Sequence, residues 1–383
     1  MTDKERAVRN TSAATDGGQP ITIKHNDIIP QDSEKCNNEF SDNRRFFEEL
    51  QRMSDPGYLP TISMKELFEN VYCSKPPTID GLLYPGTYLF VGAPKVGKSF
   101  LMAQLAYHVS TGTPLWGFPV KRSTVLYLAL EDDYKRLQER LYRMFGTDGT
   151  DKLHFAVAAG QLGVGLEDQL SGFLKEHRDT TLVIIDTLQK IRESAGDSYS
   201  YANDYQVITQ LKKFADQNGI CLLLVHHTRK QQADDKFDMI SGTNGLLGAA
   251  DGAFLLHKEK RTDRAAALDI SGRDQQDQRL NLMRNEATLA WDLVKMETTQ
   301  WTQPKEPLLE AVAAVVSESS PDWTGTPSEL AEVLATDMKP QTLMLKLNVN
   351  ASRLLNEYGI RYDSSRSHTG RKVKLHFEGR DDA

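Results

Sequence analysis

Apolar residues in this chain gather into short, nearly unbroken runs: Tyr88 to Val91, Val125 to Leu130, Leu182 to Ile185, Leu222 to Val225 and Ala253 to Leu256. Such runs, bounded by polar residues, are what a strand covered on both faces requires. The first four are separated by stretches with helical spacing, among them Tyr134 to Phe145 and Tyr205 to Asn218. The order is therefore strand, helix, strand, which predicts an α/β domain with a mostly parallel central sheet and helices on both sides. Ligands of such sheets sit at the carboxyl ends of the strands.

The flanking regions follow other patterns. Residues 1 to about 41 are rich in Asp, Asn, Thr and Gly and cannot bury enough surface to order themselves, so 1–58 are expected to be a disordered arm with a short helix at Arg44 to Met53. A second short helix is expected from Ser63, as its cap, to Tyr72, before Pro76-Pro77 breaks the chain. The central domain spans 59–303. After Pro304 come a helix at Leu308 to Val316, a capping box at Thr326-Pro327-Ser328-Glu329, a helix at Asn350 to Tyr358 stopped by Gly359, and a hairpin pairing Ile360 to Tyr362 with Lys372 to Phe377. Helices followed by a basic hairpin predict a small winged-helix-like domain over 304–383.

The strand ends carry the candidate chemistry. The first run leads into Gly92-Ala93-Pro94-Lys95-Val96-Gly97-Lys98-Ser99-Phe100, a G-x-x-x-x-G-K-S loop opening a helix. Its glycines let consecutive N–H groups turn inward as an anion nest, and the helix N-terminus adds its free donors. Lys98 can reach the terminal phosphates of a nucleotide and the Ser99 hydroxyl can ligate magnesium. Met102, Leu105, Ala106 and Val109 give that helix a buried face, and Gly112 stops it.

The second run ends in Glu131-Asp132-Asp133. Glu131 is the candidate base for orienting water, whereas Asp132 or Asp133 can cap the next helix. The third ends in Asp186, placed to hold magnesium against Ser99; Thr187 follows it, so the base must come from another strand. The fourth delivers His226-His227, a polar sensor for the terminal phosphate, with His227 preferred. Adjacent strand residues face opposite ways, which disfavours the pair as a metal site. Beyond Arg229 and Lys230, the stretch Gln231 to Asp251 lacks periodicity and is a candidate loop for DNA contact.

Composition narrows the reading further. A 383-residue chain with 39% hydrophobic residues can build a sizeable core. Its net charge of −7 excludes a surface devoted wholly to nucleic acid, so any such contact is local. Lys339, Lys346, Arg353, Arg361, Arg366, Arg371, Lys372 and Lys374 stand against only Glu357 and Asp363 between 339 and 376, a candidate phosphate footprint whose alternative is a solvated or protein-binding hairpin. Cys36, Cys73 and Cys221 lack metal spacing and suit a reducing compartment. No run reaches the ~18 apolar residues of a membrane span, and a cytoplasmic protein is expected.

Taken in order, Gly92 to Ser99, Glu131, Asp186 and His226-His227 resemble the RepA-like hexameric helicase branch of the RecA and DnaB ATPases, over about Pro76 to Val294. The resemblance implies a RecA-like P-loop NTPase fold, ATP and Mg2+ as ligands, Glu131 as activator of water and His227 as phosphate sensor. It also implies a homo-oligomeric ring, such as a hexamer, with ATP between subunits. An arginine from the neighbouring subunit completes each site in that family; Arg273, after Ala265 to Ile270, fits best, with Arg261 and Arg284 as alternatives. The expected partner is DNA, single-stranded through the ring and duplex at the carboxyl-terminal domain. The leading reading is a replicative helicase or DNA motor of a mobile element. Its alternative is an ATP-switched DNA-binding or loading regulator, and a small-molecule P-loop kinase ranks third.

Overall fold

The computed structural model describes residues 55–59, 61–72, 75–192, 201–228, 245–273, 275–298, 305–367 and 370–379. The expected arm up to Ser54, the helix at 44–53, the cysteines at 36 and 73, and the candidate DNA loop as far as Asn244 lie outside these residues, whereas the last part of that stretch, expected to lack regular structure, holds a short helix at Gly245–Ala249. The chain divides into units 1–64 and 65–383, and the elements below belong to the second, apart from the first residue of α1.

Among the described residues nine strands form the main sheet: β1 (Gly86–Gly92), β2 (Thr124–Ala129), β3 (Leu153–Ala156), β4 (Thr180–Asp186), β5 (Cys221–His227), β6 (Gly252–His257), β7 (Ala265–Gly272), β8 (Gln278–Arg284) and β9 (Trp291–Thr298). Their order is β3-β2-β4-β5-β1-β6-β7-β8-β9. From β3 to β6 along that row the strands are parallel, and β7, β8 and β9 return antiparallel. The sheet is thus mixed and mostly parallel, as the buried runs predict.

Alternation along each run decides which face a side chain covers. In β4, Leu182 and Ile184 join one core while Val183 and Ile185 join the other, and β5 splits likewise into Leu223 and Val225 against Leu222 and Leu224. The first core is closed by α2 (Lys98–Thr111) and α3 (Tyr134–Phe145); the second by α4 (Leu166–Glu176), α5 (Tyr201–Asn218) and α6 (Gly245–Ala249). Each fully buried aliphatic or aromatic side chain stabilises by about 1.5–3 kcal/mol, so both faces are firmly held. The face expected on α2 is buried, and Leu101, Ala103 and Gln104 are buried with it. Gly112 caps this helix in the left-handed conformation at φ 75°.

The carboxyl-terminal region has its own core and its own three-stranded antiparallel sheet. It comprises α7 (Pro307–Ala313), β10 (Asp322–Gly325), α8 (Pro327–Val333), α9 (Pro340–Val349), α10 (Ala351–Tyr358), β11 (Ile360–Ser367) and β12 (Gly370–Phe377), with strand order β10-β12-β11. The expected capping box at Thr326 and Glu329 is present, and Gly359 ends α10 at φ 67°. The helix expected from Ser63 to Tyr72 is shorter, α1 (Met64–Glu69). None of its residues is buried, so little packing supports extra turns.

Candidate functional site

Parallel register brings the loaded strand ends to one edge. Gly92 of β1 pairs with His227 of β5, and Ala129 of β2 pairs with Asp186 of β4. The loop after β1 needs its glycines. Gly97 adopts φ 112° at the start of α2, and a Cβ there would lie 2.8 Å from the Trp291 ring. A Cβ on Gly92 would meet the Leu256 carbonyl oxygen at 2.5 Å.

Lys98 is buried, and its Nζ donates to the carbonyl oxygens of Gly92 (2.8 Å) and Ala93 (3.2 Å) and lies 3.0 Å from His227 Nδ1. Burial lowers the Lys98 pKa to about 8 even though Asp186 and Glu131 pull it upward. A charged Lys98 makes His227 Nδ1 the acceptor, so Nε2 carries the imidazole proton. Burial, then the Lys98 charge, lowers the His227 pKa, keeping this ring neutral and a hydrogen-bond donor through Nε2.

Asp186 is 6% exposed, accepts from the Tyr127 hydroxyl at 2.9 Å and from Ser99, and has its pKa raised by burial. Ser99 and Asp186 offer two hard oxygen donors side by side, one of them anionic. That set suits a magnesium ion that keeps water and phosphate oxygens as its other ligands. Among the described residues no cluster of three or more His, Cys, Asp or Glu could hold a metal. Glu131 Oε1 accepts from the Thr187 hydroxyl at 3.2 Å, so the residue after Asp186 orients the candidate base on the next strand. The neighbouring acids have structural work. Asp133 caps α3 by accepting from the Arg136 amide at 2.8 Å, and Asp132 pairs with Arg140 at 2.7 Å.

His226 faces the other way. Its Nδ1 is buried without a partner among the described residues, and burial, with nearby Arg192 second, lowers its pKa to about 4. Beside it, the little-exposed Arg192 and Asp204 pair at 2.8 Å.

The structure thus groups Lys98, Ser99, Glu131, Asp186 and His227 with the loop Gly92 to Phe100. It does not bring Arg273 there. Gly272 pairs with Gly252 at the start of β6, so Arg273 emerges at the opposite edge, where its Nη2 donates to the Gly248 carbonyl oxygen at 2.9 Å. The antiparallel return instead places Arg284 on the loop's own edge, paired with Trp291. The Arg284 guanidinium lies 4.3 Å from the Phe100 ring centre, and Arg140 lies 5.1 Å from the same ring.

Sequence reasoning missed Arg140, Thr187 and Trp291. Trp291 is fully buried; its backbone N–H donates to Gln104 Oε1 (2.8 Å) and its carbonyl oxygen accepts from Gln104 Nε2 (2.9 Å). The antiparallel strands are thereby fastened to the helix that bears Lys98. No local signal announces such a contact, since the partners lie far apart in sequence. Arg140 alone had one, nine positions after Glu131 and on the same helix as the cap.

Residues 68–233 match the family model described as an AAA domain. Among solved structures the chain is similar to one described as an ATPase domain, with 17% identity, TM-score 0.46, and 55% of this chain and 85% of that chain covered. It is similar also to a DnaB-like replicative helicase described with its interactions with primase, with 15% identity, TM-score 0.49, and 65% and 71% covered. A KaiC-like protein, PH0186 from Pyrococcus horikoshii OT3, gives 15% identity, TM-score 0.41, and 59% and 99% covered. No curated protein matches the chain.

Proposed function

Starting from residues 68–233 as an AAA-type P-loop ATPase domain within a RecA-like sheet, we propose that this protein is a magnesium-dependent ATPase that works on DNA as a ring of like subunits. The observation that carries the reading is the convergence of Lys98, Ser99, Asp186, Glu131 and His227 on one sheet edge.

The loop amides and Lys98 hold the β- and γ-phosphates of ATP. Ser99 and Asp186 are the groups that would hold magnesium, which supplies charge neutralisation at the phosphates. Glu131, steadied by Thr187, accepts a hydrogen bond from water and aims it at the γ-phosphorus. His227 Nε2–H is the donor that senses that phosphate, while Nδ1 accepts from Lys98. In the ring reading Arg273 serves the neighbour's site, which accords with its place away from its own. The wing-like carboxyl-terminal domain binds duplex DNA, single-stranded DNA passes through the ring, and the site of action is cytoplasmic. Among the described residues no helix is long and apolar enough to cross a membrane.

ATP turnover with and without single-stranded DNA tests this. We expect stimulation in the wild type and none in Lys98→Ala. Small fractions of Arg273→Ala mixed into wild type should poison turnover beyond their share; strictly proportional loss removes Arg273 as a finger. An ATP-switched loading regulator is the second reading, favoured by the carboxyl-terminal module's grip on residues 68–72 of its own chain. DNA-stimulated turnover without strand displacement would select it.

A further inference from the structure

Three donors of the carboxyl-terminal module converge on one short segment of the same chain. Asn348, 1% exposed at the end of α9, donates through Nδ2 to the carbonyl oxygens of Phe68 and Glu69, both at 3.0 Å. Its Oδ1 accepts from the Tyr362 hydroxyl at 2.7 Å, which fixes the direction of the amide. Ser352 of α10 approaches the Tyr72 carbonyl oxygen at 3.4 Å, and Arg371 Nη2 of β12 reaches that of Glu69 at 3.5 Å. Val71 packs against the module's core.

The Phe68 and Glu69 acceptors are carbonyl oxygens left over at the end of a helix, which carry partial negative charge, and the Tyr72 acceptor lies just beyond it. The polar contacts reach backbone rather than side chains, and Val71, just beyond α1, adds an apolar contact. A buried amide donor, a hydroxyl and a guanidinium drawn from two helices and the hairpin also make the donor set that a phosphate group requires.

We propose that Asn348, Ser352 and Arg371 form a phosphate cradle for the nucleic-acid backbone, and that residues 68–72 occupy it in cis as a built-in competitor. This rests on the reading that the protein acts on DNA and names the contact and its regulation. DNA must displace the segment, and because that segment is the start of the matched ATPase domain, engagement at the module changes how the domain is tethered.

The test uses the full chain, a short fluorescein-labelled duplex, and amide hydrogen exchange of residues 65–72. Saturating duplex should speed exchange in that segment. Val71→Asp, which removes the apolar anchor, and Phe68→Pro, which unwinds the helix without touching the module's core, should each tighten duplex binding by about tenfold. Asn348→Asp, which keeps the acceptor for Tyr362 but repels phosphate, and Arg371→Gln should weaken it. Equal affinity in all four variants with unchanged exchange would sink the cradle while DNA-stimulated turnover kept the wider reading intact. Loss of both duplex binding and DNA-stimulated turnover in the wild type would sink the two together. Opening of the segment by inorganic phosphate alone, to the same extent as by duplex, would take nucleic acid out of the proposal.

Discussion

The two sheets of this chain put charge to different uses. In the nine-stranded sheet, a few ionisable groups sit at strand ends, buried, with their pKa values displaced and their partners fixed to within hydrogen-bond distance. In the module that holds the three-stranded sheet, the Lys and Arg counted along the sequence are dispersed over helices and strands. Lys346 pairs with Glu306, Arg353 with Glu357 and Arg361 with Glu378, while Arg371 turns toward residue 69. Lys372 and Lys374 share the outer face of β12, and Asp363 stands opposite Lys374. Position along a motif survives folding because parallel register converts it into place. Net charge over a stretch does not, because neighbours in space neutralise it.

That contrast can be broken or sharpened by experiment. The largest effect should come from Lys98→Ala, with ATP turnover falling to below about a thousandth of wild type in a coupled phosphate-release assay. Glu131→Gln should lower turnover by about 10²–10⁴-fold while calorimetry still shows nucleotide binding; loss of binding as well would make Glu131 a structural residue. Trp291→Ala should cost about 3–5 kcal/mol in denaturant unfolding, because it empties a packed position against Gly97 and disturbs the Gln104 contacts.

A pH dependence follows from Lys98. Its pKa near 8 is a depressed one, so the free protein loses this proton as pH rises through about 8, whereas bound polyphosphate favours the charged form. Nucleotide affinity should therefore be flat below about pH 8 and fall above it, by up to about tenfold per pH unit, with proton uptake on binding seen in calorimetry across two buffers. The smallest effect belongs to the other sheet. Replacing Lys372 and Lys374 by Gln should reduce the salt slope of duplex binding by about two, as two lost phosphate contacts require. An unchanged slope would leave the outer face of that hairpin out of the footprint.

The strands that carry the site were legible because both their faces are covered, so each appears as a pure apolar run, and the runs of β2, β4 and β5 each end in polar residues. The loop Gly92 to Ser99 was legible because Gly92, Gly97, Lys98 and Ser99 stand at fixed spacing between a buried run and a helix. Other elements left weaker traces. Strand β3 is four residues long and half-buried, and it has no run to show. Strands β8 and β9 mix exposed and buried positions near the sheet edge, and β10 and α9 are short or interrupted in pattern. The location of Arg273 depends on chain reversal between β6 and β7, which reading along one run cannot reveal. Thr187 and Trp291 matter through contacts made across strands, where sequence distance carries no information.

The reversal at β7 also gives the sheet two rims with unlike properties. A fluorophore coupled at position 273 would stand at the rim away from Lys98. It would report on the approach of another molecule, a second subunit included, through energy transfer and leave the Lys98 rim of its own subunit unlabelled.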